Sequence, residues 1–189
     1  ELIKLKKIKW FFFSSTSHVY KFSQKKLNEK SRLKPSSLYG LTKLKAEKYI
    51  QKKLKKAKIP FCIGRIFSFT HKKQTADFVI PSIIKKAKSK KKIVHFENTE
   101  HYRDFLSTSD ICNAINILFK KKANGIYNIG SGKKILISDI IKLIFKKYKK
   151  IYKISKNNKS TWLFADINKI KKFKWKPKNN IISIVNELT

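Results

Sequence analysis

Tyr39 and Lys43 stand four residues apart in YGLTK, and Thr16 lies upstream in the hydroxyl cluster SSTS. On a helix, positions i and i+4 share a face, so the ammonium of Lys43 can sit near the phenol oxygen of Tyr39. A free phenol ionises near pH 10. To act as a base near neutrality it must drop by roughly three units, about 4 kcal/mol of differential stabilisation, which a fixed cation beside it can largely supply. A hydroxyl at a strand end, that of Thr16, would then orient the substrate oxygen that exchanges a proton with Tyr39. Alone the spacing is weak, because 47 of the residues are Lys or Arg and chance Tyr–Lys pairs are easily found.

Elements must bring these residues together. WFFFSSTSHVY, residues 10–20, follows Lys4, Lys6, Lys7 and Lys9 as a leader's apolar core would. A secretory core needs about 7–15 apolar residues and a membrane span about 20, whereas Trp10–Phe13 is cut off at once by Ser14, Ser15 and Thr16. The run therefore reads as a strand buried on both faces, as in a parallel sheet. A polar stretch with Pro35 leads to LYGLTKLKAEKYIQKKLKKAK. There Leu41, Leu44, Tyr49, Ile50, Leu54 and Ala57 recur at mostly helical intervals, which predicts a helix of about five turns. Pro60 stops it, and FCIGRIFSF follows as a second apolar strand. Strand, helix and strand of this length make a βαβ crossover.

Beyond residue 70 the pattern becomes mixed. DFVIPSIIKKAK predicts a helix with Pro81 near its first turn, where a missing N–H costs little. KIVHFE and HYRDFL read as short strands. STSDICNAINILFKK reads as a helix with Ser107 and Asp110 at capping-box spacing and Ile111, Ala114, Ile115 and Leu118 on one face. GIYNIG is a further strand, SDIIKLIFKKYKK a further amphipathic helix, and the tail gives two short helices around WKP.

Net charge is +36, from 47 basic against 11 acidic residues. Such a charge raises the alternative of a lysine-rich nucleic-acid-binding module. Only three of the 47 are arginines, Arg32, Arg65 and Arg103, whereas specific phosphate and base recognition favours the guanidinium fork. The lysines are spread along the chain, as AT-rich coding would spread them, so solvated lysine faces on an ordinary fold are the simpler reading. Cys62 and Cys112 lie in apolar surroundings without metal-ligand spacing, which predicts buried free thiols in a reducing cytoplasm and no metal site. His18, His71, His95 and His101 form no triad pattern.

The ordered set FSSTSHVY, then LNEKSRLKPSSLYGLTKLKAE, then GRIFSFT resembles the extended short-chain dehydrogenase/reductase family, the NAD-dependent epimerase/dehydratases that act on nucleotide-sugars. Glu29, Pro35, Tyr39, Lys43, Ala46, Glu47 and Arg65 fall in the family's order. FVIP, YRDFLSTSDICNAI, GIYNIGSG and WKP resemble its substrate lobe. The resemblance implies an α/β fold: the C-terminal part of a Rossmann-type doubly wound parallel sheet plus a smaller mixed α/β substrate-binding lobe. Residues 1–70 would be a truncated NAD(P)-binding domain and 71–189 mainly the lobe. The family's Gly-rich phosphate turn has no counterpart in these residues, and GSGK at 130–133 lacks the spacing of a nucleotide loop. The chain thus reads as a fragment, inactive by itself or a remnant without catalysis.

By the same resemblance Tyr39 is the acid/base, Lys43 lowers its pKa and both contact the nicotinamide ribose of NAD or NADP. Thr16 would hold the reacting sugar oxygen and Arg103 the diphosphate of a nucleotide-diphosphate sugar. An ion pair of Arg103 with Asp104 or another acid is the structural alternative. Ser68 stands where relatives often have a substrate-contacting Asn, a departure that puts that contact in doubt. Dehydrating members resemble a Thr-Asp-Glu pattern. Here Thr16-Ser17-His18 lacks the carboxylic acids, which disfavours 4,6-dehydration and leaves an epimerase or a keto-sugar reductase open. A cytoplasmic homodimer without membrane attachment completes the expectation.

Overall fold

A computed structural model describes residues 8–155 and 160–189, so Lys4, Lys6 and Lys7 of the leader-like stretch lie outside the described residues. In chain order the elements are β1 (Phe11–Thr16), α1 (Leu38–Lys56), β2 (Phe61–Ile66), β3 (Ser68–Thr70), α2 (Val79–Ala87), β4 (Ile93–Phe96), β5 (Tyr102–Arg103), β6 (Phe105–Ser107), α3 (Thr108–Lys120), β7 (Gly125–Ile129), β8 (Ile135–Leu136), α4 (Ile137–Lys147), β9 (Ile151–Ile154), β10 (Trp162–Leu163), α5 (Asn168–Lys171) and α6 (Ile181–Leu188). The two apolar runs around α1 pair in parallel, with Phe11 opposite Phe61 and Thr16 opposite Ile66. Both need cover on two faces, as crossover helices provide. The α/β class with parallel pairing is thereby realised.

The sheet continues past the predicted boundary at residue 70. β7 joins β2 in parallel, Cys62 opposite Gly125 and Ile66 opposite Ile129, giving the order β1-β2-β7. GIYNIG therefore belongs to the main sheet rather than to a separate lobe. FCIGRIFSF does not form one strand either. The chain leaves the main sheet at Phe67, and β3 pairs with β6 instead. HYRDFL breaks at Asp104, whose carboxylate accepts the N–H groups of Ser131, Gly132 and Ala165. β5 then pairs with β8 and β10, while β6 turns to β3.

The remaining elements form a second packed layer. α2, α4 and β4 enclose Ile80, Ile83, Phe96, Ile141, Ile144 and Phe145, and β4 pairs in parallel with β9. Both follow amphipathic patterns of the expected periods. α3 is capped by Ser107 Oγ, which accepts from Asp110 N at 3.1 Å. The reciprocal half of a capping box is replaced: Asp110 accepts instead from Lys178 N and Asn179 N of the tail.

Helix α1 buries only part of the apolar set its pattern predicts. Gly40, Leu44, Glu47 and Leu54 are buried, whereas Leu41 is 40% and Tyr49 62% exposed, and Ala57 is exposed too. Glu47 is buried there in an ion pair with Arg65. Cys62 is buried as expected, and burial pushes its thiol up to about 12. Cys112 is exposed, because on α3 it points away from the face of Ile111, Ala114 and Leu118 that enters the core.

Lysine also fills backbone positions that usually fall to glycine. α1 ends with Lys58 N bonded to Lys55 O and Ile59 N to Leu54 O, with Lys58 at φ 54°. Lys122 after α3 and Lys149 after α4 repeat the arrangement at φ 45° and 49°. These are Schellman ends carrying a side chain in the left-handed region.

Candidate active site

The C-terminal end of β1 delivers Ser15, Thr16 and Ser17, all buried, into a single 3-10 turn that carries His18 outward. Thr16 Oγ1 accepts from His18 N at 3.3 Å. Against this turn stands the start of α1, capped by Ser37 Oγ accepting from Gly40 N at 3.1 Å. The contact is close enough that a Cβ on Gly40 would overlap the carbonyl oxygen of His18. Glycine thus lets the first turn of α1 approach the end of β1.

That approach places Tyr39 beside His18, with ring centroids 6.0 Å apart at 71°. Tyr39 remains 53% exposed. One turn on, Lys43 Nζ donates to Ser14 O at 2.9 Å and lies 5.9 Å from the Tyr39 ring and 5.1 Å from that of Phe13. Thr16, Tyr39 and Lys43 therefore gather at one end of β1. An ammonium has three donors, and the bond to Ser14 O uses one.

Arg103 reaches the same region from β5. Its Nη1 donates to Tyr102 O at 2.8 Å and Thr161 O at 3.0 Å, its Nη2 to Thr161 Oγ1 at 3.0 Å, and the guanidinium lies 5.5 Å from the Phe22 ring. It makes no ion pair with Asp104, whose oxygens are taken by backbone N–H groups. Among the described residues Arg65–Glu47 is the salt bridge present. Partial burial, and secondly the charge of Arg103, hold His18 below the ordinary histidine range. Ser68 opens β3 two residues beyond Ile66, the partner of Thr16. It is half-buried and makes no side-chain hydrogen bond among the described residues.

Beneath Thr16 and Tyr39 runs a polar network to which the expected chemistry assigns no role. Arg65 Nη2 donates to Glu47 Oε2 at 2.7 Å and Nε to Oε1 at 3.0 Å, while Ser15 Oγ donates to Glu47 Oε1 at 2.5 Å. Arg65 Nη1 also donates to Glu29 O at 3.1 Å, and the guanidinium lies 4.8 Å from the Tyr20 ring. Burial, the largest single influence, opposes the charge of Arg65, but Glu47 and Tyr20 together outweigh it and hold the guanidinium above its ordinary range. Tyr20, pushed up to about 12 chiefly by burial, donates to Asn128 Oδ1 at 2.7 Å. Two sequence signals point to this network: an acid one turn after Lys43, and an arginine inside an apolar strand run.

The GSGK turn is not a phosphate cradle. The N–H groups of Ser131 and Gly132 are directed at Asp104. Among the described residues no group of three His, Cys, Asp or Glu is placed to hold a metal ion, and no helix is long and apolar enough to cross a membrane.

Comparison with known proteins gives the chain's family and fold. The profile of a family described as GDP-mannose 4,6 dehydratase matches residues 1–188. The uncharacterized UDP-glucose epimerase YtcB of Bacillus subtilis is 32% identical over 139 residues, 72% of this chain and 44% of that protein. The dTDP-D-glucose 4,6-dehydratase of Dictyostelium discoideum is 31% identical over 157 residues, 76% of this chain and 36% of the relative. The chain thus spans less than half the length of either. Among solved structures, UDP-glucuronic acid 4-epimerase from Bacillus cereus, in complex with UDP-glucuronic acid and NAD, superposes with a TM-score of 0.86 at 26% identity over 97% of this chain and 61% of that one. RMD from Pseudomonas aeruginosa, complexed with NADPH, gives 0.87 at 20% identity over 95% and 65%, a likeness of fold.

Proposed function

Because the chain belongs to the family described as GDP-mannose 4,6 dehydratase, among the NAD-dependent epimerase/dehydratases of the extended short-chain dehydrogenase/reductase type, we propose that it forms the proton-transfer and sugar-holding part of a nucleotide-sugar epimerase or keto-sugar reductase. The observation that carries this reading is the cluster at the end of β1: an exposed phenol, Tyr39, with Lys43 anchored beside it on Ser14 O and Thr16 in the adjoining turn.

In this reading Tyr39 exchanges a proton with a sugar hydroxyl, with the ammonium of Lys43 held beside it on Ser14 O. Thr16 orients the sugar oxygen. The half-spent fork of Arg103 faces the diphosphate, and Ser68 lies at the sugar's edge. The donor set fits NAD or NADP: Lys43 keeps two N–H donors for a ribose, and the Tyr39 ring is open on one side. Bound nicotinamide would supply the hydride acceptor or, in its reduced form, the hydride donor to a keto-sugar. Relatives include both epimerases and 4,6-dehydratases. What favours epimerisation or reduction is the residue set after β1, where Ser17 and His18 bring no carboxylic acid for an elimination.

The 189 residues contain no Gly-rich pyrophosphate turn, so NAD(P) binding by this stretch alone is weak and the stretch alone is inactive. A cytoplasmic homodimer is the expected working form, and the exposed Leu38, Leu41 and Tyr49 of α1 offer apolar surface for it. The test is turnover by the longest natural open reading frame that encodes this chain, supplied with NAD or NADP and UDP- or dTDP-hexoses for epimerisation, and with NADH or NADPH and a nucleotide-linked keto-hexose for reduction. Epimerised or reduced sugar is expected, and Tyr39→Phe cuts the rate by about 10²–10⁴. A 4-keto-6-deoxy product would overturn the choice against dehydration, and a fully active Tyr39→Phe the assignment of Tyr39.

A further inference from the structure

We propose that Glu47 and Arg65 are positioning residues, a buried ion pair that fixes the rotation of α1 and thereby where Tyr39 and Lys43 stand relative to Thr16. The proposal rests on the acid/base reading for its consequence, but the geometry stands independently of it.

Helix α1 has two rival faces. One would bury Leu41 and Tyr49. The other buries Gly40, Leu44, Glu47 and Leu54 and leaves Leu38 76%, Leu41 40% and Tyr49 62% exposed. Apolar burial alone does not select the second face, since it puts large hydrophobic side chains in water and a carboxylate in the core. What selects it is Arg65, whose side chain projects from β2 and is 2% exposed. Its fork takes both oxygens of Glu47, and only one rotation of α1 presents them. Buried polar pairs are best attested in this role, as setters of register rather than sources of stability.

The anchoring brackets the reactive residues. Arg65 holds Glu29 O in the loop that leads to α1 and Glu47 one turn beyond Lys43, so the segment from Glu29 to Glu47, which contains Tyr39 and Lys43, is tied at both ends to one guanidinium. Glu47 also accepts from Ser15, the neighbour of Thr16. Strand end and helix start are thus referred to a single carboxylate. Rotating α1 toward its other face would swing Tyr39 away from His18 and Lys43 away from Ser14 O.

The test compares Glu47→Leu/Arg65→Met, Glu47→Gln and Arg65→Lys with the unsubstituted 189-residue chain by NMR, reading the cross-peaks between the His18 and Tyr39 rings. The double variant replaces the pair by apolar groups of similar size, so it is expected to fold. Its His18–Tyr39 cross-peaks are expected to vanish, while contacts in the layer of Ile80, Phe96 and Phe145 persist. Glu47→Gln, which keeps the shape and an acceptor, retains them weakened. Unchanged His18–Tyr39 contacts in a folded double variant would overturn the proposal. Should the double variant not fold, Arg65→Lys decides in the same way: it keeps the charge and loses the fork, so retained contacts refute positioning and lost contacts support it. Nucleotide-sugar turnover is measured separately on the longest natural open reading frame that encodes this chain. Its absence would sink the enzymatic reading while leaving the NMR result on α1 intact.

Discussion

Breaking the Glu47–Arg65 pair one side at a time, and then removing it whole, gives a thermodynamic cycle with a definite expected shape. The side chains are 1% and 2% exposed, so solvent does little to screen either charge. Arg65→Met leaves the Glu47 carboxylate buried with Ser15 Oγ as its remaining partner. Glu47→Leu leaves the guanidinium with Glu29 O and the Tyr20 ring. Each single change should cost about 3–5 kcal/mol, the range for stranding one member of a buried pair. The double variant should lie within about 1–2 kcal/mol of the unsubstituted chain, because apolar replacements of similar volume relieve both desolvation penalties. The singles taken additively would sum to about 6–10 kcal/mol, so the coupling is of nearly that size. In a chain of this length each kcal/mol moves the melting midpoint by roughly 2–4 °C, so the singles fall by roughly 6–20 °C and the double by a few degrees. Urea unfolding followed by far-UV circular dichroism measures all four species, with a constant m-value as the condition for comparing them. A double variant destabilised by the sum of the singles would refute the claim that these two residues act as one unit.

Three further outcomes follow from the same geometry. Lys58→Gly, Lys122→Gly and Lys149→Gly, each at a helix end with φ between 45° and 54°, should stabilise by about 1 kcal/mol apiece by relieving the left-handed strain, and the triple variant should melt higher by roughly 6–12 °C. Because the folded pKa of His18 is depressed, the unfolded chain binds its proton first. This residue's contribution to stability is therefore complete above the ordinary histidine range and declines as pH falls toward the depressed value. NMR titration should find its midpoint below 6.5, and Arg103→Gln should move it upward, since the charge of Arg103 is the second cause of the shift. Calorimetry of the 189 residues with NAD and NADP should show no micromolar binding, and binding at that level would show that the cofactor site does not need a Gly-rich turn.

The parts of this molecule that are readable from sequence are those in which one chemical signal dominates. The strands Phe11–Thr16 and Phe61–Ile66 open on apolar runs, Phe11 to Phe13 and Phe61 to Ile63, that are too short for helices, and they pair as the βαβ pattern requires. Tyr39, Lys43 and Thr16 can be placed together because helical spacing and strand-end position are local properties. The breaks at Phe67 and Asp104 are not readable, since what turns the chain there is a carboxylate collecting N–H groups from residues 131, 132 and 165. The boundary at residue 70 fails in the same way: β7 rejoins the sheet through pairing with β2, and no composition change marks it. Cys112 departs from expectation because the apolar residues near it in sequence, Ile111 and Ala114, face the core from α3 while Cys112 itself lies off that face.

The face of α1 shows most clearly why such errors arise where they do. Counting apolar residues selects Leu41 and Tyr49 for the core. The fold leaves them exposed and buries Glu47, because Arg65, 18 residues further on, supplies the partner that makes a buried carboxylate tolerable. A periodicity argument weighs each side chain by its own transfer energy, whereas an ion pair's contribution belongs to two residues jointly and has no local trace. Departures of this kind are expected where a fold must hold reactive groups in place rather than merely bury surface. Here the departure falls one helical turn from Lys43 and, through Ser15, one residue from Thr16, which is where the orientation of α1 matters most to the chemistry its residues are read as performing.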